Sequence, residues 1–218
     1  MKSFAIIGCG RFGSAVARTL HELGNEVLAI DGDPDVVEMI SPSVTHAIQA
    51  DVMDEAVMKE LGLKNFDVVI VSIGTDLQAS IMATLIVKEL GVKHVVTKAQ
   101  SELHGKVLRK IGADKVIYPE RDMGVRVAHN LTSKSIIDYI ELSPDYSILE
   151  IRSLERWWGK TLSDLRLRNK YGVNVMAIKR GDQVNVSPGP NDKIEIGDIL
   201  VVLGSTDEIA KLEQKAGD

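Results

Sequence analysis

Gly8-Cys9-Gly10-Arg11-Phe12-Gly13 is a G-x-G-x-x-G run between an N-terminal apolar stretch and an amphipathic one, the context in which such a run grips phosphate. Gly8 permits a tight turn, Gly10 lets the backbone approach an anion, and Gly13 lets a helix pack closely on a strand. The helix opening at Phe12 would turn free N–H groups and its positive dipole end toward that anion. Asp31 follows at roughly the 20-residue spacing where a carboxylate accepts bonds from a ribose diol. The same charge repels a 2′-phosphate, which argues against NADP. Asp51 falls after the third candidate strand, close to where an adenine ring would lie. It either accepts a bond from the exocyclic amine or is an exposed loop aspartate. Arg11 brings a forked guanidinium into the loop. It suits a ligand with more phosphate charge, such as ATP, or else it pairs with Asp31 or faces solvent. The chemistry on offer is capture of an adenosine phosphate.

Groups for acid–base or nucleophilic catalysis do not gather around this loop. An oxidoreductase needs a proton donor or acceptor held near the substrate carbon. His21, His46, His94, His104 and His129 are scattered without a pairing pattern, and each reads as a surface or capping residue. Tyr146 and Tyr171 fall in strand-like or turn-like surroundings. Cys9 fills space under the turn more readily than it acts as a nucleophile. No H-E-x-x-H, cysteine pair, P-loop or G-x-S-x-G is found in the sequence. The expectation is a binding protein, not an enzyme.

Short β-branched runs must position these residues. Candidate strands are Ser3 to Ile7, Glu26 to Asp31, Thr45 to Gln49, Asp67 to Ser72, His94 to Lys98 and Lys115 to Tyr118. Helix-like segments Phe12 to Leu23, Pro34 to Ile40, Glu55 to Leu61, Leu77 to Leu90 and Ser101 to Ile111 alternate with them. This alternation predicts an α/β fold, a doubly wound parallel Rossmann-type sheet over residues 1–120. Residues 121–142 read as a linking helical segment, with Arg121 to Ile140 helical through Met123, Val127, Leu131, Ile136, Ile137 and Ile140. Residues 143–218 predict a smaller α+β domain. Its strands are Ser147 to Arg152, Asn174 to Lys179, Gln183 to Val186 and Ile199 to Gly204, closed by a helix from Thr206 to Lys215 with Thr206 as N-cap.

The chain has 218 residues, is 44% hydrophobic and 26% charged, and carries a net charge of −5. That balance fits a globular protein and speaks against a general nucleic-acid binder. Its single cysteine suits a reducing compartment. No signal peptide and no uncharged run approaching the ~20 residues of a membrane span is visible.

Further segments carry a likeness to a known family. They are Phe4 to Gly13, Glu26-Val27-Leu28-Ala29-Ile30-Asp31, Lys98-Ala99-Gln100 and Lys106 to Asp114. Tyr118-Pro119-Glu120-Arg121-Asp122-Met123-Gly124 and Gly197 to Gly204 complete the set. Jointly they resemble the RCK (regulator of potassium conductance) proteins, made of TrkA-N and TrkA-C domains, and most of all the Ktr-type cytosolic gating subunits. A single copy of both domains is similar to the Ktr type, since Trk-type subunits usually carry the pair twice.

The resemblance implies dimers assembling to an octameric ring under a membrane-embedded potassium-translocating subunit, in the cytoplasm at the inner face of the plasma membrane. It implies that ATP and ADP in the first-domain pocket favour different ring shapes, with Arg11 reaching the terminal phosphate partly across a subunit interface. Glu120 would help hold a divalent cation, Mg or Ca, or else is a first-turn helix acid. Cyclic di-AMP would meet Arg168 through its phosphate, Asn174 and Val175 through the base, and Pro190 as a wall. The alternative for Arg168, near Arg156, Arg166 and Lys170, is a solvated basic face. Trp157-Trp158 is unusual for the family and has packing or an interface as its only account. An NAD- or NADH-sensing regulator, an efflux-system regulator and an NAD-dependent oxidoreductase are the competing readings.

Overall fold

The computed structural model describes residues 1–132 and 135–216, in two compact units, Met1–Glu120 and Arg121–Asp218. In the first, β1 (Ser3–Ile7), α1 (Arg11–Glu22), β2 (Glu26–Asp31), α2 (Pro34–Ile40), β3 (His46–Gln49) and α3 (Glu55–Glu60) alternate. The pattern continues through β4 (Val68–Val71), α4 (Leu77–Glu89), β5 (Val95–Lys98), α5 (Glu102–Lys110), β6 (Lys115–Ile117) and the start of α6 (Pro119–Thr132). The six strands pair in parallel in the order β3-β2-β1-β4-β5-β6.

Successive strand residues point to opposite faces, so nearly continuous apolar runs need cover on both. Ala5, Ile7, Leu28, Ile30, Val69 and Val71 pack with Met58 of α3 and with Ala83, Ile86 and Val87 of α4. On the other face Ile6, Val27, Ala29 and Ile70 pack with Ala17 and Leu20 of α1 and Ile40 of α2. The sheet is doubly wound, as the alternation predicts. Burying one such isoleucine or valine contributes about 1.5–3 kcal/mol.

The second unit carries β7 (Ile136–Ser143), β8 (Tyr146–Arg152), α7 (Leu162–Leu165), α8 (Leu167–Tyr171), β9 (Asn174–Arg180), β10 (Gln183–Asn185), β11 (Ile199–Ser205) and α9 (Thr206–Ala216). Its sheet is antiparallel in the order β10-β9-β11-β8-β7. Leu149, Ile151, Ile178, Leu200 and Val202 line one face and pack on Ile209 and Leu212 of α9. Trp157 belongs to this core, and Trp158 Nε1 donates to Ser153 Oγ at 3.1 Å. Packing therefore accounts for the tryptophan pair. No described helix is long and apolar enough to cross a membrane.

Two sequence expectations need correcting. The helix beginning the linking segment ends at Thr132, and Ile136, Ile137 and Ile140 lie in β7. Consecutive β-branched side chains crowd a helix and fit a pleated strand; residues 133–134 fall outside the described residues. The closing helix is capped by Ser205, not Thr206. Ser205 Oγ accepts from the Glu208 amide at 3.3 Å while Glu208 Oε2 accepts from the Ser205 amide at 2.9 Å, a reciprocal capping box. Thr206 Oγ1 donates instead to the Pro144 carbonyl at 3.2 Å.

Asp198, just before β11, anchors the second unit. Asp198 is fully buried and accepts from Arg180 Nε and Nη2 and from the Glu195 amide, each at 2.8 Å. Burial pushes its carboxyl up, but the Arg180 and Glu195 bonds outweigh it and hold the group below the usual aspartate value. A depressed folded-state pKa stabilises above the unfolded value near ~3.9 and is lost as pH falls through the folded one. Asp198→Asn should lower stability at neutral pH by about 1.5–3 kcal/mol and flatten the acid-side decline. Thermal unfolding followed by circular dichroism across that range measures both.

Candidate functional site

Strand order reverses between β1 and β4, and open parallel sheets take ligands at such a point, beyond the carboxyl ends of their strands. The first-unit candidates share that edge. Gly8 to Gly13 follow β1, Asp31 ends β2, Asp51 follows β3, and Glu120 follows β6.

The glycines divide the work of the turn. Gly8 takes φ +88°, and its amide donates to the Ile30 carbonyl at 2.8 Å. A Cβ on Gly13 would collide with the Gly8 carbonyl and Ser72 Oγ, so glycine is what lets α1 reach the sheet. A Cβ on Gly10 would meet nothing within 4 Å, which leaves room above the loop. α2, α3, α4 and α5 begin with side-chain caps from Asp33, Asp54, Asp76 and Ser101. α1 begins at Gly10 with no side-chain cap and no acid in its first turn. Its amides are left for an anion.

Asp31 does more than the spacing suggests. Its Oδ2 accepts from the Cys9 amide at 2.6 Å and its Oδ1 from the Asp33 amide at 3.0 Å. A carboxylate offers about four lone-pair sites, so capacity for ribose hydroxyls remains. Arg11 is exposed, and the hydrogen-bond partners of Asp31 are backbone amides rather than that guanidinium. Asp51 is exposed and accepts from the Met53 amide at 2.9 Å, a local turn at the same sheet edge.

Lys98 is the pocket residue that sequence reasoning missed as a site. It ends β5 with only 9% of its surface exposed. Its Nζ lies 2.5 Å from Glu120 Oε1 and 6.0 Å from the centre of the Phe12 ring. The signal available was a lysine closing a short β-branched strand. The Lys98 ammonium holds the Glu120 carboxyl below its usual value. Among the described residues, no group of three or more His, Cys, Asp or Glu side chains could hold a metal ion. The cation expected at Glu120 would need phosphate oxygens of a ligand beside this carboxylate.

In the second unit, Arg168 is exposed on α8, Asn174 and Val175 open β9, and Pro190 lies in the β10–β11 connection. The Pro190 carbonyl accepts from the Ser163 amide at 2.8 Å. A cavity of about 300 Å³ in this unit is lined by Ile178, Arg180, Asn185, Asp192 and neighbours, and by none of those four.

Two histidines depart from the surface-or-cap expectation. His104 is buried and accepts at Nδ1 from the Gln100 amide at 3.3 Å, and burial lowers its pKa. His129 stacks on Tyr139 at 3.8 Å and sits 3.3 Å from Glu213, a pairing that sequence separation concealed. Cys9 behaves as expected of a space filler. Burial, helped by the Asp31 charge, pushes its thiol up to about 12. Ellman's reagent at mildly alkaline pH should therefore find no reactive thiol in the folded protein and one per chain after denaturation.

The TrkA-N domain family matches residues 4–119, and the TrkA-C domain family matches residues 147–217. The chain is 50% identical over 214 residues to Ktr system potassium uptake protein C of Bacillus subtilis (strain 168), covering 98% of this chain and 97% of that one. It is 44% identical to Ktr system potassium uptake protein A of Vibrio alginolyticus, covering 96% and 95%. The solved GsuK RCK domain matches with a TM-score of 0.70 at 18% identity, over 100% of this chain and 48% of that one. That likeness is one of fold, and the chain spans about half of that protein's length. The chain belongs to the TrkA-N/TrkA-C family of RCK proteins, and is similar over nearly its whole length to the Ktr system potassium uptake proteins.

Proposed function

We propose that the chain is a cytosolic regulatory subunit gating a membrane-embedded potassium-translocating partner, with ATP and ADP in the first-unit pocket as its signals. The observation that carries the nucleotide reading is the uncapped start of α1 above a glycine turn braced by Asp31. Whole-length identity to Ktr system potassium uptake proteins supports potassium uptake as the process. The subunit works at the inner face of the plasma membrane, as dimers assembled into an octameric ring.

In this reading the loop amides from Gly8 to Gly13 bind phosphate, Asp31 binds the ribose and Asp51 the adenine. Arg11 reaches the terminal phosphate. A ligand biases gating only through different affinities for two ring shapes. ATP and ADP differ by one phosphate, and a coupling of ~1–3 kcal/mol lies within reach of one charge-assisted bond to it. Cyclic di-AMP between two second units, on Arg168, Asn174, Val175 and Pro190, is a further part of the proposal. The role is sensing rather than turnover. The Cys9 thiol is buried and strongly protonated, and His104 is buried with Nδ1 on the Gln100 amide.

The GsuK channel is solved bound to NAD, and GsuK also bound to ADP, so NAD and NADH belong in the same ligand panel. Calorimetry with all four ligands decides among them; tight NAD or NADH binding with none of ATP would overturn the proposed signal. Arg11→Ala should weaken ATP about tenfold, near the 1.5–3 kcal/mol of a charged hydrogen bond at its lower end, and leave ADP nearly unchanged. Equal losses would remove Arg11 from the terminal phosphate. Asp31→Ala should weaken every adenosine ligand about 10- to 150-fold, and unchanged binding would take it out of the pocket. Potassium flux into liposomes holding the membrane partner, with each nucleotide added, tests the gating itself.

A further inference from the structure

We propose that the hydroxyls of Ser14 and Ser72 set which way two peptides of the phosphate turn face, and so act as positioning residues for the nucleotide phosphates. This rests on the nucleotide reading above and adds to it the groups that keep the loop's N–H donors, not its carbonyls, toward the ligand.

The two peptides join Gly8 to Cys9 and Cys9 to Gly10. No described peptide bond is cis, and in a planar trans peptide the N–H and C=O point to opposite sides. Holding one end therefore aims the other. The Gly8 carbonyl accepts from Ser72 Oγ, just past β4, while the N–H of the same peptide, on Cys9, donates to Asp31 Oδ2 at 2.6 Å. That peptide is gripped from β4 on one side and from β2 on the other. Ser72 is buried, and its own amide donates to the Ile7 carbonyl at 2.8 Å, so its hydroxyl projects from a fixed backbone. The Cys9 carbonyl accepts from Ser14 Oγ at 2.5 Å, and the Ser14 amide donates to the Gly10 carbonyl at 2.9 Å. The N–H of the second peptide, on Gly10, is thereby turned away from Ser14. The loop is open at this residue, since a Cβ on Gly10 would meet nothing within 4 Å.

Glycine makes these anchors necessary. Gly10 stands at φ −63°, and reversing the Cys9–Gly10 peptide would carry it toward positive φ, which glycine adopts without steric cost. The backbone alone therefore leaves both orientations open. The reversed peptide would present a carbonyl oxygen to the phosphate, and an acceptor repels an anion. A hydroxyl supplies one donor, and Ser14 commits it to the Cys9 carbonyl. That bond selects the state in which an N–H meets the ligand. Ser14 and Ser72 do for the carbonyls of the loop what Asp31 and the Ile30 carbonyl do for its amides.

The test is equilibrium dialysis with ATP, ADP and adenosine on wild type, Ser14→Ala, Ser14→Thr and Ser72→Ala, with circular dichroism to check the fold of each. Ser14→Ala should weaken ATP and ADP alike, by about 3- to 10-fold for the loss of one neutral hydrogen bond, and leave adenosine, which has no phosphate, bound as in wild type. Ser14→Thr keeps a hydroxyl and should bind all three like wild type. Ser72→Ala should weaken ATP and ADP in the same range, and no loss there would remove Ser72 from the proposal. Unchanged ATP and ADP binding by Ser14→Ala would overturn it for Ser14. An equal loss for adenosine, the mark of a pocket distorted as a whole, would do the same, as would a Ser14→Thr variant as weak as Ser14→Ala. Where adenosine alone binds too weakly to read, the comparison of Ser14→Thr with Ser14→Ala decides. Wild-type binding of ATP with no effect of the serine variants defeats only this inference. No binding of ATP or ADP by wild type defeats the nucleotide reading, and this inference with it.

Discussion

A carboxylate at the end of one strand holds the backbone of the turn that ends the next. The Asp31 Oδ2 bond to the Cys9 amide, at 2.6 Å, ties the glycine turn to β2, and the Gly8 amide bond to Ile30 pins the same turn a second time. Hydrogen bonds to a charged group contribute about 1.5–3 kcal/mol each, enough to keep a glycine-rich loop from sampling other conformations. Only a fixed loop keeps the α1 amides converged on one point. The Asp31 carboxylate is thereby already partly engaged by the loop.

Charge around the pocket is balanced rather than uniformly positive. Asp31, Asp51 and Glu120 place carboxylates along the carboxyl edge of the sheet, while the α1 dipole, Arg11 and Lys98 oppose them. Such a site discriminates by where each charge sits. Arg11 is exposed and free to follow a ligand, whereas Lys98 is buried and held.

The second unit uses the same chemistry for stability. Asp198 is buried with its oxygens engaged by Arg180 and the Glu195 amide, and this lets a charged group sit at the end of an apolar sheet. Removing solvent from a carboxylate is tolerable only when its lone pairs are satisfied. On α9, the Ser205–Glu208 box settles the helix start in a similar local way.

Period and punctuation made the first sheet, its helices, the phosphate turn and the partner carboxylate Asp31 legible in the residues alone, because backbone preference and face-by-face burial are local properties. The strand character of Ile136 to Ile140 was obscured because apolar residues in a short run satisfy helix and strand periods alike. Only the tertiary structure decided who meets whom across the carboxyl edge. Cys9 and Asp31 are 22 positions apart, as are Lys98 and Glu120, and what brings each pair together is the place in space where adjacent strands end. The buried state of His104 and Asp198 was likewise invisible, since a polar residue's neighbours belong to segments that no local pattern names.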